Sequence, residues 1–269
     1  MRFVEKDFNA DRPLVAIIIP VADAEDEIAR SCVEHLEKTV KVPFRLIMVE
    51  SKGDEFAFGR SINAGVQRAA GFDIVIGMDS DAFPRPNAVE NMLAFVRKHP
   101  ELGYIGSKVH LKGSYPRVAF RNFGLFGFLI LIGIGERAPF YVVRRLRRGM
   151  WYTFGGRDIP KFQKGKMLGA TSTFFGLRRD CWEEVKGFDE GYRIQWSDID
   201  FCYRIMLSRW YISTCISAEV DHDCHTTQRH RNELREFSGL DHFKELWPKE
   251  RIKQVLKAGK AGKFRIYNE

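Results

Sequence analysis

Several features that would place this chain of 269 residues in a familiar class are missing from it. Its first residues have no basic start followed by an apolar segment and a small-residue cleavage site, so we find no secretory signal. The cysteines are odd in number and include no CxxC pair, so neither a disulfide framework nor a thiolate zinc site is indicated. A reducing, cytoplasmic location is therefore expected. The cysteines are Cys32, Cys181, Cys202, Cys215 and Cys224.

A hydrophobic run long enough to cross a membrane is also missing. The apolar stretch from Phe123 to Gly135 is shorter than the about 20 residues that a transmembrane helix needs, and it fits a buried core segment. A second interpretation includes the aromatic and basic sequence that follows, up to Phe154, which has the composition of a segment resting on anionic lipid headgroups. That interpretation predicts peripheral contact with the inner face of a membrane. Its arginines are Arg144, Arg145, Arg147 and Arg148.

The sequence also lacks the glycine-rich loops that bind phosphate groups in many nucleotide-binding proteins. The sequence after the first predicted strand, IIIPVADAEDE, contains neither GxGxxG nor GxxxxGK[ST] and is acidic. This argues against a dinucleotide-binding protein and a P-loop protein. It also argues against a nucleotidyltransferase, which would carry a glycine-rich and basic loop at this point.

What the sequence does contain is a regular alternation of strands and helices. Strands are predicted over 14–20, 44–50 and 72–79, and helices over 25–40, 59–71 and 87–100. Strands separated by helices are typical of βαβ units in a parallel, doubly wound sheet. Ligands of such sheets bind beyond the carboxyl ends of the strands.

Acidic or polar residues follow each of these three strands. They are Pro20-Val21-Ala22-Asp23, Glu50-Ser51 and Asp79-Ser80-Asp81. Turn chemistry and solubility would explain any one of these groups. All three together favour a ligand, because carboxylates bind Mg²⁺ or Mn²⁺ and accept hydrogen bonds from ribose and base groups. A nucleoside diphosphate with its metal would satisfy both demands.

Four longer blocks carry a family resemblance. They are VAIIIPVADAEDEIARS, FRLIMVESKGD, SINAGVQRAAGFDIVIGMDSDAFP and GATSTFFGLRRDCWEEVKGFDEGYRIQWSDIDFCYR. In this order they resemble the successive motifs of the family-two inverting glycosyltransferases of the GT-A fold, from about Leu14 to about His225.

The resemblance implies one α/β domain, with a mostly parallel Rossmann-like sheet flanked by helices and with a C-terminal helical tail. Its parts would be a nucleotide-sugar-binding half (1–112), a variable apolar and basic insertion (113–164), an acceptor-binding and catalytic half (165–228) and the tail (229–269).

For the donor side, the resemblance implies a nucleotide site and a metal ligand. Glu50 stands where the family usually has an Asp that binds the base. Asp79 matches the first acid of the DxD motif, near the ribose or a metal-bound water, and Asp81 matches the second, which ligates the metal. The implied nucleotide-binding residues are Pro20, Val21, Ala22, Glu50, Arg60, Asn63, Asp79 and Ser80.

For the acceptor side, the resemblance places Gly169 and Ala170 at the floor of the sugar pocket, with Trp196 and Ser197 nearby. Asp198 matches the catalytic base, and Ser197 replaces the Glu that usually precedes it. A purely structural interpretation is that acids at this helix start cap free N–H groups.

The last implied ligand is a histidine. The sequence AEVDHDCH follows a predicted strand, and His222 matches the residue that completes the metal site in the family. His225 is the alternative. An imidazole with carboxylates suits Mn²⁺ better than Ca²⁺, and Mg²⁺ stays open.

The sequence therefore predicts a metal-dependent inverting hexosyl- or deoxyhexosyltransferase. Its donor would be a UDP-, dTDP- or GDP-linked sugar, and its acceptor a hydroxyl of a glycan or a lipid-linked glycan. The alternatives are a catalytically inactive sugar-nucleotide-binding relative and a basic nucleic-acid-binding protein. The net charge of +8 fits the latter. The strand-end acids would repel a phosphate backbone, so no nucleic-acid partner is expected.

Overall fold

The computed structural model describes residues 1–9, 12–112, 141–145, 150–154, 170, 172–193, 196–223, 239–265 and 267. The predictions that fall outside these residues concern the apolar stretch 123–135, Arg147 and Arg148 of the basic segment, the pocket residue Gly169 and the alternative ligand His225.

The described strands are β1 (Arg2–Phe8), β2 (Val15–Val21), β3 (Phe44–Glu50), β4 (Ile74–Met78), β5 (Ala82–Pro84), β6 (Leu102–Lys112), β7 (Tyr141–Arg145), β8 (Met150–Phe154), β9 (Phe174–Arg178) and β10 (Tyr211–Asp223). The described α-helices are α1 (Glu27–Thr39), α2 (Phe58–Arg68), α3 (Ala88–Lys98), α4 (Arg179–Glu184), α5 (Ser197–Met206), α6 (Leu240–Leu246) and α7 (Lys249–Ala258).

Among the described residues, eight strands form one sheet in the order β1-β3-β2-β4-β9-β6-β10-β5. Strands β2, β3, β4, β6 and β10 run in one direction, while β1, β9 and β5 run against their neighbours. The fold is thus a mixed α/β domain in which most strands are parallel, as expected. The β7–β8 pair forms a separate antiparallel ribbon.

Helices cover both faces of the sheet, which explains the continuous apolar strands. In β2, Ile17 and Ile19 pack on the side of α1 and α3, whereas Ala16 and Ile18 pack on the side of α2 and α5. Every residue of β2 is buried. A strand buried on both faces has no polar side to alternate with, as in parallel sheets generally.

Close packing of α2 on the sheet depends on a glycine in the SINAG segment. A Cβ added to Gly65 would lie 2.3 Å from Cγ2 of Ile18 on β2. Real Cβ atoms do not approach so closely, so α2 can lie against β2 only where the helix has no side chain at this point. This contact fixes α2 beside the carboxyl ends of β2 and β3.

Two differences between the predicted and the observed elements exceed two residues. Helix α2 ends at Arg68, before Gly71, because Ala69 already serves as the C-terminal cap. The edge strand β1 was not predicted at all. Six of its seven residues are exposed or half-buried, so it lacks an apolar signal and is held by its ladder with β3.

No helix of the described residues is long and apolar enough to cross a membrane. The predicted membrane-contacting segment coincides in part with β7 and β8, of which only the backbone is described. Peripheral membrane contact therefore stays a prediction.

Candidate active site

The DxD residues lie where β4 ends. Strand β4 stops at Met78, and the backbone N–H of Asp79 donates to the carbonyl of Thr173 (3.0 Å) just before β9. The N–H of Ala82 returns to the carbonyl of Asp79 (3.2 Å), so the chain turns tightly here. This turn starts β5 and leaves Asp79 half-buried and Asp81 buried at the rim of the sheet.

Pairing between β5 and β10 brings a histidine from far along the sequence to this turn. His222 is the partner of Ala82 in an antiparallel ladder, and the N–H of Asp223 donates to the carbonyl of Asp81 (2.9 Å). As a result, Nε2 of His222 lies 3.1 Å from Oδ1 of Asp81 and 3.9 Å from Oδ2 of Asp79.

The chemistry and spacing of these three side chains suit a cation. One ligand atom from each of Asp79, Asp81 and His222 lies within 4.8 Å of the others. Two carboxylates and an imidazole are a donor set that suits Mn²⁺, and carboxylate oxygens also suit Mg²⁺. The residues present therefore fit the divalent ion that the sequence predicts.

The electrostatics of the site favour a cation. The pKa of Asp79 is raised to about 7, and burial is the largest cause. The charge of Asp81 and the charge of Asp198 act in the same direction. His222 and a hydrogen bond from Thr173 oppose the shift. Carboxylates that hinder one another's ionisation are stabilised when a positive ion lies between them.

An arginine joins β5 and β10 next to these three side chains. Nη2 and Nε of Arg85 donate to Oδ1 of Asp221 (2.8 and 3.1 Å), and Nη1 donates to Glu219 (3.2 Å). Arg85 directly follows β5, and Asp221 directly precedes His222. The contact therefore fixes the β5–β10 ladder next to Asp81.

The proposed base, Asp198, lies in the first turn of α5. Its carboxylate accepts the N–H of Ile199 (2.9 Å), and its charge contributes to the raised pKa of Asp79, so it lies near the same site. Ser197 is buried, 1% exposed, in front of it. Trp196 has φ +74°, a left-handed conformation that costs a bulky residue about 1–3 kcal/mol. Surrounding contacts must supply this energy.

Asp200, two residues later, has a different role. Its carboxylate is 1% exposed and accepts hydrogen bonds from Nε of Arg204 (2.8 Å) and from Nε1 of Trp247 (2.7 Å). Residues two apart on a helix point about 200° apart, so Asp198 and Asp200 face opposite sides. Asp200 holds the helix in place, and Asp198 points away from these anchoring contacts.

The predicted pocket floor is described only at Ala170. Its backbone N–H lies 3.4 Å from Sγ of Cys202, one turn after Asp198 on α5, and Ala170 is buried. The residue is therefore near the proposed base. Gly169 lies outside the described residues.

Glu50 lies at the carboxyl end of β3, where its carboxylate is held by several donors. Oε2 accepts the backbone N–H of Ala24 (3.1 Å) and a hydrogen bond from Arg2 (2.6 Å). Nζ of Lys52 lies 3.7 Å from Oε1. The hydrogen bond from Ala24 is the largest cause that lowers the pKa of Glu50, followed by that from Arg2. Arg2 was missed because β1 gave no sequence signal.

The other predicted nucleotide-binding residues around the first strand end lie close to Glu50. Pro20 and Val21 are buried in β2 opposite Val49 and Glu50, and the N–H of Ser51 donates to the carbonyl of Val21 (3.0 Å). Ala22 is exposed at this rim, and Ser80 is half-buried in the DxD turn.

Asn63 and Arg60 reach toward the GFDE segment. Nδ2 of Asn63 donates to the carbonyl of Phe188 (2.8 Å) and to Glu190 (3.1 Å), while its Oδ1 accepts Nε1 of Trp182 (2.9 Å). Arg60 forms an exposed ion pair with Glu190 (3.3 Å). Both residues thus join α2 to α4 and the segment that follows it. A direct contact with the nucleotide stays a prediction.

Comparison with solved structures shows the same fold. The mannosyltransferase PcManGT from Pyrobaculum calidifontis, solved with GDP-Man and Mn²⁺, superposes with a TM-score of 0.52 at 12% identity. The alignment covers 93% of this chain and 69% of that one. GalNAc-T7, solved with UDP, GalNAc and Mn²⁺, gives a TM-score of 0.53 at 10% identity. That alignment covers 78% of this chain and 43% of the GalNAc-T7 chain. The fold is that of the GT-A glycosyltransferases.

Sequence comparison identifies the family. No curated protein sequence matches the chain significantly. The family model described as glycosyl transferase family 2 matches residues 17–185, which is more than half of the chain and includes the DxD turn and α4. The chain belongs to glycosyltransferase family 2.

Proposed function

We propose that this glycosyltransferase is metal-dependent and inverting, and that it transfers a hexose or deoxyhexose from a nucleoside-diphosphate sugar to a hydroxyl group. The observation that carries the proposal is the convergence of Asp79, Asp81 and His222 at one strand end, with Asp198 close enough to affect the pKa of Asp79. These residues come from three separate parts of the chain. Their meeting supplies both a cation site and a proton acceptor.

Asp79, Asp81 and His222 would hold Mn²⁺ or Mg²⁺. When bound, the ion supplies positive charge that offsets the negative charge on the leaving diphosphate. The base and ribose would lie along the rim formed by Glu50 and the ends of β2 and β4. Oε1 of Glu50 lies 3.7 Å from Nζ of Lys52, and this oxygen can accept an N–H of the base.

Asp198 would act as the general base. Its carboxylate takes the proton of the acceptor hydroxyl, whose oxygen forms a bond to the anomeric carbon while the bond from that carbon to the diphosphate oxygen breaks. The electron pair of the broken bond leaves with the diphosphate. Attack from the face opposite the leaving group inverts the anomeric configuration.

The acceptor would reach Asp198 past Trp196 and Ser197, with Ala170 and Gly169 near the sugar. We propose a glycan or a lipid-linked glycan as acceptor. A lipid-linked acceptor would agree with peripheral contact of the 123–148 segment at the inner face of a membrane, a part of the proposal that rests on sequence composition alone.

Calorimetric titration tests the donor site. UDP, dTDP and GDP are titrated with and without Mn²⁺ into the wild type, Asp81→Ala and the control Asp7→Ala. Asp7 pairs with Arg45 at the amino end of β3, away from the site. We expect Mn²⁺-dependent binding of one nucleotide that Asp81→Ala loses and Asp7→Ala keeps. Binding of no nucleotide by the wild type, or unchanged metal dependence in Asp81→Ala, would contradict the proposal.

A further inference from the structure

Helix α6, the first described helix after β10, packs against the first turn of α5. This turn contains Asp198. The ring of Phe243 lies 4.8 Å from the ring of Trp196, centroid to centroid. Trp247, directly after α6, donates its indole N–H to Asp200 (2.7 Å). Phe243 and Trp247 are 1% and 2% exposed, so both contacts lie in the interior.

These two contacts hold the residues on either side of Asp198. Trp196 has a positive φ of 74°, which persists in a bulky residue only when its surroundings impose it. The ring of Phe243 is one such constraint. The carbonyl of Trp196 accepts the N–H of Asp200 (2.9 Å), so the strained residue and the buried acid belong to the same helical turn.

The second oxygen of the Asp200 carboxylate is held by Arg204. Its guanidinium pairs with Asp200 (2.7 Å) and donates to the carbonyls of Val185 and Gly187 (2.6 Å each). Asp200 is therefore held between α4 and α6. Since Asp198 and Asp200 point about 200° apart on one helix, a rotation or shift at Asp200 moves the carboxylate of Asp198.

We infer that Trp247 and Phe243 are positioning residues for the base Asp198. The segment 239–247 would then hold the first turn of α5 in the position that catalysis requires. This inference rests on the proposed function, in which Asp198 takes the acceptor proton. A base must be held closely in place, and a displacement of about 1 Å can reduce turnover by about two orders of magnitude.

The test uses two matched tryptophans of the full-length protein. Trp247→Phe removes the N–H that bonds Asp200 and keeps most of the ring. Trp210→Phe is the control, because Nε1 of Trp210 also donates to a carboxylate, that of Glu184 (3.0 Å), beyond the other end of α5. Phe243→Leu is a second variant that keeps apolar volume and loses the ring contact with Trp196.

Three quantities are measured at a temperature well below unfolding: Mn²⁺-dependent nucleotide affinity, hydrolysis of GDP-mannose, UDP-glucose or dTDP-glucose, and hydrogen exchange of the peptide 197–206. For Trp247→Phe and Phe243→Leu we expect nucleotide affinity within about twofold of wild type, kcat reduced about tenfold or more, and faster exchange in the first turn of α5. Trp210→Phe should match the wild type in all three.

Unchanged exchange and kcat in Trp247→Phe, or equal losses in Trp210→Phe, would overturn the inference. A parallel loss of nucleotide affinity would also overturn it, since that indicates general destabilisation. Failure of the proposed function looks different. In that case the turnover of wild type and Asp198→Asn would be equal, while the exchange of peptide 197–206 would still decide whether Trp247 holds the turn.

Discussion

The affinity for Mn²⁺ should fall steeply as the pH is lowered below 7. The cause is Asp79, whose pKa is raised to about 7, with burial as the largest cause and the charges of Asp81 and Asp198 adding to it. A carboxylate binds a metal ion only after losing its proton, so proton and metal compete for Asp79. At pH values below this raised pKa, Asp79 is increasingly protonated and binds Mn²⁺ less.

The size of the effect follows from the pKa. For one proton with a pKa of about 7, the observed Kd for Mn²⁺ increases about tenfold from pH 8 to pH 6 and about a hundredfold from pH 8 to pH 5. Asp79 alone therefore accounts for about a tenfold increase in the Kd between pH 8 and pH 6.

The same shift predicts how the metal-free protein responds to pH. The folded protein binds the Asp79 proton more tightly than the unfolded chain, in which the pKa is near 3.8. Its contribution to stability is thus present below about pH 4 and is lost as the pH rises through about 7. We therefore expect the Tm of the metal-free wild type to decrease relative to that of Asp79→Asn over this interval, and added Mn²⁺ to raise the wild-type Tm at pH 8.

Isothermal titration calorimetry at pH 8, 7 and 6 measures the affinity directly. The control is Asp79→Asn, which keeps the shape of the side chain and has no proton to lose. Its affinity should be lower at pH 8, and its pH dependence should be shallower. A wild-type Kd that changes by less than about twofold between pH 8 and pH 6 would refute the assigned role of Asp79.

Two further changes test other parts of the structure. Asp198→Asn should leave Mn²⁺-dependent nucleotide affinity nearly intact and reduce turnover by about two to four orders of magnitude, since it removes only the proton acceptor; a large loss of nucleotide binding in calorimetry would contradict this role. Gly65→Ala should lower the free energy of unfolding by about 1–3 kcal/mol in urea titrations, because the new Cβ would lie 2.3 Å from a side-chain carbon of Ile18. An unchanged urea midpoint would show that α2 can move away from β2 without cost.

The first half of the fold could be predicted because its signals are local. Strand β3 was predicted with the bounds observed, Phe44–Glu50, and the acids after β2, β3 and β4 lie at one rim as the sheet rule requires. A continuous apolar run marks a buried strand, and the helical period marks an amphipathic helix. The rim follows from the order of these elements along the chain.

The rest depends on contacts between distant parts of the sequence. His222 was matched to the metal site by resemblance, and the cause of its placement is the β5–β10 ladder, which joins residues far apart in the chain. Asp198 and Asp200 look equivalent as acids at a helix start. Only the packing of α4 and of Trp247 against α5 distinguishes the anchoring acid from the one that faces the site.

The net charge of +8 does not by itself identify a ligand. Three of the arginines are used to bond the last carbonyls of helices or the residues just beyond them. Arg178 donates to the carbonyl of Val96 in the last turn of α3, and Arg179 donates to the carbonyl of Val66 in the last turn of α2 (2.8 Å). Arg204 donates to the carbonyl of Val185, directly after α4. Cations are favoured there by the helix dipole, whatever the protein binds. These three charges stabilise the fold and are not available to an anionic partner.

The acids at the strand ends lower the net charge of the chain. They are nevertheless the groups that lie together at the candidate site. The sign of the whole chain therefore says less about the ligand than the position of a few carboxylates.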